Sequence, residues 1–193
     1  SHFLKILSYL LENKEVGGKK AIDYFVDDNK ISDQMVLADM KLAGTIPTDV
    51  VLFNIDSKSE VNGKQSKVAI VSVLQNVFNE MQGFSGSNPF LADLERKLTE
   101  EGKYNLFKEK FEDSFGSAWE ESRSDFDFIQ DDVVEVLDEI GFMSIEAGRN
   151  WCEKATGEYT YKVEDFARLV KKYLDKKESN HHIVFLIDEI GQY

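Results

Sequence analysis

The chain has 193 residues, 42% of them hydrophobic and 12% aromatic, with two prolines and twelve glycines, a composition that excludes a disordered or collagen-like polypeptide. Thirty-six acidic against 23 basic side chains give a net charge of −13, a sign that opposes nonspecific binding of DNA, RNA or anionic membrane by the chain as a whole. The single cysteine, Cys152, cannot close an intramolecular disulfide, so a reducing compartment fits and the cytoplasm is the expected location.

Phe3, Leu4, Leu7, Leu10 and Leu11 recur at helical spacing and predict an opening helix that Gly17-Gly18 stops. A short helix is expected at 19–26, and another at 32–42, capped by Ser32 and ended by Gly44 and Pro47. The texture then changes. Residues Asp49 to Asp56 (DVVLFNID) form a β-branched and aromatic run between turn signals, the pattern of a strand covered on both faces. A polar loop follows over 57–67, and Ile70, Val71, Leu74, Val77, Phe78 and Met81 mark a helix that ends at Gly83.

From there to Asn180 the spacing predicts helices only, at 91–99, 104–115, 131–140, 144–155 and 163–174. Between Asp93 and Glu139 there are 16 acidic and 6 basic residues, so this stretch carries −10 of the net charge. Such a block is ordinarily a solvated surface; its functional alternative is docking onto a basic partner. Trp119, Trp151, Phe107, Phe111 and Phe115 read as core anchors, and Cys152 as a small core residue. His181 and His182 are adjacent, so on an extended chain they point to opposite faces and make a poor metal pair.

The run Ile183-Val184-Phe185-Leu186-Ile187 has no polar alternation, which argues for a central parallel strand, and it ends in adjacent carboxylates, Asp188 and Glu189. This is the Walker B arrangement of P-loop NTPases, in which the Asp organises Mg²⁺ and a following Glu orients the attacking water. Ligands of open α/β sheets collect outside the carboxyl ends of the strands, where these two carboxylates lie. Asp56 is a further candidate at a strand's carboxyl end, with an Asx-turn as its structural alternative. The two strands should pair in parallel around an α/β core with a large helical insertion. Ser1 in place of Met, and an apolar run that stops shortly before Tyr193, lead us to expect an excerpt of a longer polypeptide.

Three stretches together resemble the large P-loop ATPase of bacteriophage-exclusion (BREX) defence systems, the BrxC/PglY family. They are residues 1–11 (SHFLKILSYLL), 41–44 (KLAG) and 48–57 (TDVVLFNIDS) with 77–83 (VFNEMQG), and 181–193 (HHIVFLIDEIGQY). The resemblance spans essentially the whole chain. It implies an internal fragment of one P-loop NTPase domain of AAA+/ASCE type, predominantly helical here. Residues 1–57 and 179–193 would supply the sheet core, and 58–178 an acidic helical insertion. It further implies that Ser1 is the Walker A hydroxyl residue, contacting Mg²⁺ and the nucleotide. Asp188 would be the Mg²⁺-organising carboxylate and Glu189 the catalytic one, with ATP and Mg²⁺ as cofactors. The phosphate-cradling glycines and lysine lie outside the chain, so the expectation for the fragment alone is weak or no ATP binding and no hydrolysis. Implied partners are other defence subunits, with DNA reached only through the larger complex; a homo-oligomer is also expected, because sheet edges invite association. No run approaches the roughly 20 apolar residues of a membrane span, so no membrane partner is expected. Two competing expectations are an acidic helical protein-interaction module with structural carboxylates, and a metal-dependent phosphohydrolase using Asp188 with Asp56.

Overall fold

The structure, a computed structural model, describes residues 2–27, 30–55 and 67–189. It is mostly helical with a small two-stranded parallel sheet, a mixed α/β chain. The residues cluster into two compact units, one of 1–73 with 162–193 and one of 74–161.

In the first unit, α1 (His2–Glu12) leads into a hairpin of β1 (Glu15–Val16) and β2 (Lys19–Lys20), then α2 (Asp23–Val26) and α3 (Gln34–Ala43). The hairpin replaces the first half of the helix expected at 19–26. Gly17 and Gly18 have φ of +63° and +77°, the pair of left-handed residues that a two-residue type I′ turn requires. Asn13, itself at φ +44°, ties the unit together: its Nδ2 donates to the Gly44 carbonyl at 2.9 Å and its Oδ1 accepts from the Ile22 N–H at 3.1 Å. Helix α3 is capped by Asp33 rather than Ser32, the Asp33 carboxylate accepting from the N–H groups of Met35 and Val36.

The sheet pairs β3 (Thr48–Asn54) with β4 (His182–Asp188) in parallel, with Thr48 opposite His182 and Asn54 opposite Asp188. This is the pairing expected of the two apolar runs. Val51 and Phe53 point to one face and are buried, as is Ile55, while Leu52 between them is more than a third exposed. Helix α1 packs on β3, and Phe166 of α10 (Val163–Leu174) sets its ring edge-on to Phe185 of β4, centroids 6.0 Å apart.

Helix α4 (Lys67–Met81) begins in the first unit and ends in the second. The second unit continues with α5 (Pro89–Glu100), α6 (Tyr104–Phe115), α7 (Trp119–Ser122), a 3₁₀ turn (Arg123–Phe128), α8 (Gln130–Glu139) and α9 (Ile145–Ala155). Its termini carry strong local signals: Asn88 caps α5 ahead of Pro89, and Ser144 caps α9. The core gathers Leu91, Leu94, Leu98, Phe107, Phe111, Trp119, Val133 and Leu137, each at most 2% exposed. Trp119 stands edge-on to both Phe107 and Phe111 at 5.1 and 5.2 Å, so the expected aromatic anchors meet. Phe115 is the exception, 39% exposed at the end of α6. Gly148 of α9 sits so close to α8 that a Cβ there would lie 3.0 Å from Val134 Cγ1. Gly148→Leu should therefore lower the melting stability by about 3 kcal/mol through overpacking, although leucine is the better helix former; thermal unfolding measures this.

Candidate functional site

Strand β4 owes its placement to five consecutive apolar residues, and the chain turns polar only where it leaves the sheet. Full register with β3 puts Asp188 directly beside Asn54, so both strands end together and present polar side chains at one edge. Asn54 Nδ2 donates to Glu189 Oε2 at 2.6 Å, the length of a charge-assisted hydrogen bond. Glu189 has φ +63°, a conformation uncommon for a residue with a Cβ and one that clusters at functional turns. The left-handed turn stops the strand at Asp188. Asp188 is half-buried and Glu189 exposed.

Of the residues singled out from the sequence, Asp188 and Glu189 thus stand at a shared strand end, while Ser1 and Asp56 lie outside the described residues. Asn54 is the member of this group that pattern reading missed. Its signal was present in register: once the two apolar runs are aligned in parallel, residue 54 is the polar neighbour of residue 188.

A second polar cluster occupies the opposite end of the sheet, about 17 Å away along β3 at the usual rise per residue. Asp49 Oδ2 accepts from the Tyr173 hydroxyl at 2.5 Å, meets His181 Nε2 at 2.7 Å, and lies 3.7 Å from Lys177 Nζ. It joins the start of β3 to the end of α10 and to the residue before β4. Burial pushes the Asp49 carboxyl up, but the hydrogen bonds from Tyr173 and His181 and the Lys177 charge outweigh it and hold the group below the usual carboxylate value. A lowered folded value means the stabilisation is fully present above the unfolded pKa of 3.8 and is lost as pH falls through the folded one. Asp49→Asn should consequently weaken the fold at pH 7 and flatten the acid limb of its stability profile. Urea titrations between about pH 2 and pH 7 would reveal this, and identical acid limbs would refute it.

Other chemistry-bearing groups are committed to structure. His181 is held by Asp49, and burial pushes the Cys152 thiol up to about 11, aided by Asp131, which leaves it unreactive at neutral pH. Glu95, fully buried, accepts at Oε1 from Tyr104, Trp119 and Arg123 at 3.0, 2.7 and 2.7 Å, and at Oε2 from the Ser85 N–H at 2.5 Å. Burial raises the Tyr104 hydroxyl far above its ordinary value, with Glu95 adding to the effect. A concave depression of about 260 Å³ is lined by Ile6, Tyr9, Val16, Ala21, Tyr24, Phe25 and Lys14. Lys14 is paired with Glu12, and the other described residues that line this hollow offer apolar contact. Among the described residues no three His, Cys, Asp or Glu side chains are grouped to hold a metal ion, and no helix is long and apolar enough to cross a membrane.

What the strand end can do follows from its donor set. Hard carboxylate oxygens suit Mg²⁺, which is typically held through one or two carboxylates with phosphate oxygens and water completing its shell. Asp188 fits that requirement, whereas the Asp49 cluster, saturated by three donors, does not. No protein-family model matches the chain, and no solved structure matches it.

Proposed function

We propose that this chain is a segment of an ATP-binding and ATP-hydrolysing P-loop protein of a bacterial anti-phage defence system, running from the end of the phosphate loop to just past the acidic strand end. The observation that carries the reading is the parallel pairing of β3 with β4, which brings Asp188, Glu189 and Asn54 to one carboxyl edge. Asp188 would hold Mg²⁺, and Ser1 would contribute its hydroxyl to the same ion and nucleotide. Bound Mg²⁺ would neutralise charge on the transferring phosphoryl group. Glu189 would orient the attacking water and take its proton, and Asn54 would fix the Glu189 carboxylate. Residues 58–178 would form the acidic helical insertion into one NTPase domain. The parent would work in the cytoplasm with other defence subunits and reach DNA only through that assembly.

Phosphate binding in such sites comes mainly from backbone N–H groups and a lysine that are not among these 193 residues. The chain alone should therefore bind Mg·ATP no more tightly than about 1 mM and show no turnover. Steady-state hydrolysis that Glu189→Gln abolishes in the chain alone would refute this division of labour.

A second reading rests on charge. Residues 74–161 hold 20 acidic and 8 basic side chains, a net of −12, around their own core. That favours an interaction module docking on a basic protein, with the strand-end carboxylates structural. Binding of a basic partner that survives Asp188→Ala and Glu189→Gln, with no nucleotide binding in an extended chain, would select it.

A further inference from the structure

Gln75 and Asn79 stand one helical turn apart on α4, yet they are only 1% and 0% exposed. A buried amide ordinarily uses both of its ends, and an unpaired buried donor or acceptor lowers a folding equilibrium constant about tenfold or more. Each of these two uses one end only. Gln75 Nε2 donates to the Tyr159 hydroxyl at 3.1 Å, and Asn79 Oδ1 accepts from Arg96 Nη2 at 2.7 Å. Gln75 Oε1 and Asn79 Nδ2 have no hydrogen-bond partner among the described residues. The Asn79 amide cannot simply be turned over. Arginine carries donors only, so the amide oxygen must face Arg96 and the nitrogen must face away from it. Arg96 is itself fixed, by Asp93 Oδ1 at 2.7 Å and by the face of the Phe84 ring, 5.2 Å from centroid to guanidinium carbon.

The two unpaired atoms complement each other, one an acceptor and the other a donor. Residues four apart lie on the same helix face with Cβ atoms about 5–6 Å apart, a gap that one small molecule can bridge. No hydrogen bond joins them directly, since each amide is anchored at its other end. An anion would meet the amide oxygen, and a cation would meet the amide hydrogens. Water suits both atoms, because it can donate to Oε1 while accepting from Nδ2, the minimum of two polar partners that a buried water needs.

We propose that the helical unit holds one internal water between Gln75 and Asn79. It completes a line of hydrogen bonds from Tyr159 through Gln75, the water, Asn79 and Arg96 to Asp93, which ties the segment after α9 to α5 across α4. The site belongs to the fold and does not depend on what Asp188 and Glu189 bind.

A crystal structure of the 193-residue chain at a resolution that shows ordered water tests this. One water oxygen is expected about 2.7–3.2 Å from both Gln75 Oε1 and Asn79 Nδ2. In solution, oxygen-17 relaxation dispersion counts long-lived internal waters. Gln75→Met keeps the length of the side chain without a strong acceptor, so it should remove one water from that count and leave the circular dichroism unchanged. Adding Asn79→Leu to that variant should remove no further water, since both substitutions empty the same site. A direct bond between the two amides, a water touching only one of them, a dry site, or an unchanged water count in Gln75→Met would each overturn the proposal.

Discussion

Replacing Arg123 with methionine should cost the helical unit about 3 kcal/mol, the penalty for leaving a buried carboxylate without its cation. Methionine keeps most of the apolar stem, so the loss isolates charge from packing. Glu95 is wholly buried, whereas the Arg123 side chain is 20% exposed. Removing the arginine strands the carboxylate, while removing the carboxylate leaves an arginine that can still reach water. All four groups on Glu95 are donors: the Tyr104 hydroxyl, the Trp119 indole, the Arg123 guanidinium and the Ser85 N–H. Glu95→Gln should also destabilise, because one amide N–H must then face a donor. Replacing both partners with leucine and methionine strands no charge but takes the acceptor from Tyr104, Trp119 and Ser85, so it should recover little of the single-variant loss. Urea unfolding of the three variants distinguishes this hub from a dispensable surface pair; a loss under 0.5 kcal/mol for Arg123→Met, the scale of exposed pairs, would contradict it.

In a chain extended to include the phosphate loop, Glu189→Gln should lower ATP turnover at least about 100-fold while leaving Mg·ATP affinity nearly unchanged. The glutamate follows the strand end by one residue, and its left-handed backbone with the Asn54 hydrogen bond fixes where its carboxylate stands. Glutamine retains the size and the oxygen that Asn54 addresses but cannot take a proton. Loss of affinity equal to the loss of turnover would instead make Glu189 a binding residue, and unchanged turnover would remove it from the chemistry.

Much of the architecture was legible because apolar residues report burial directly. Two unbroken apolar runs separated by about 125 residues announced parallel strands, since a hairpin would have produced alternation. The helix ends at Met81, Phe115, Ala155 and Leu174 followed from where periodicity stops. The hairpin at 15–20 was harder, since Gly-Gly both ends helices and makes type I′ turns, and only the flanking Glu15-Val16 and Lys19-Lys20 decide between them. The short helix at Trp119 and the 3₁₀ turn after it span too few residues to show a period. At the site, Asp188 and Glu189 stood out as carboxylates after a buried strand. Asn54 did not, because its role depends on register across some 135 residues of sequence. The Asp49 and Glu95 clusters escaped for the same reason: each joins donors far apart along the chain, and neither sequence position announces its partners.

The central claim is that the carboxyl edge of β3 and β4 serves a nucleotide. Titration calorimetry of Mg·ATP into a chain extended about 60 residues upstream and 150 downstream, beside its Asp188→Ala variant, tests it most directly. The account predicts micromolar binding that weakens at least about tenfold in the variant. A well-folded extended chain that binds no nucleotide, or binds it equally well without Asp188, would contradict it.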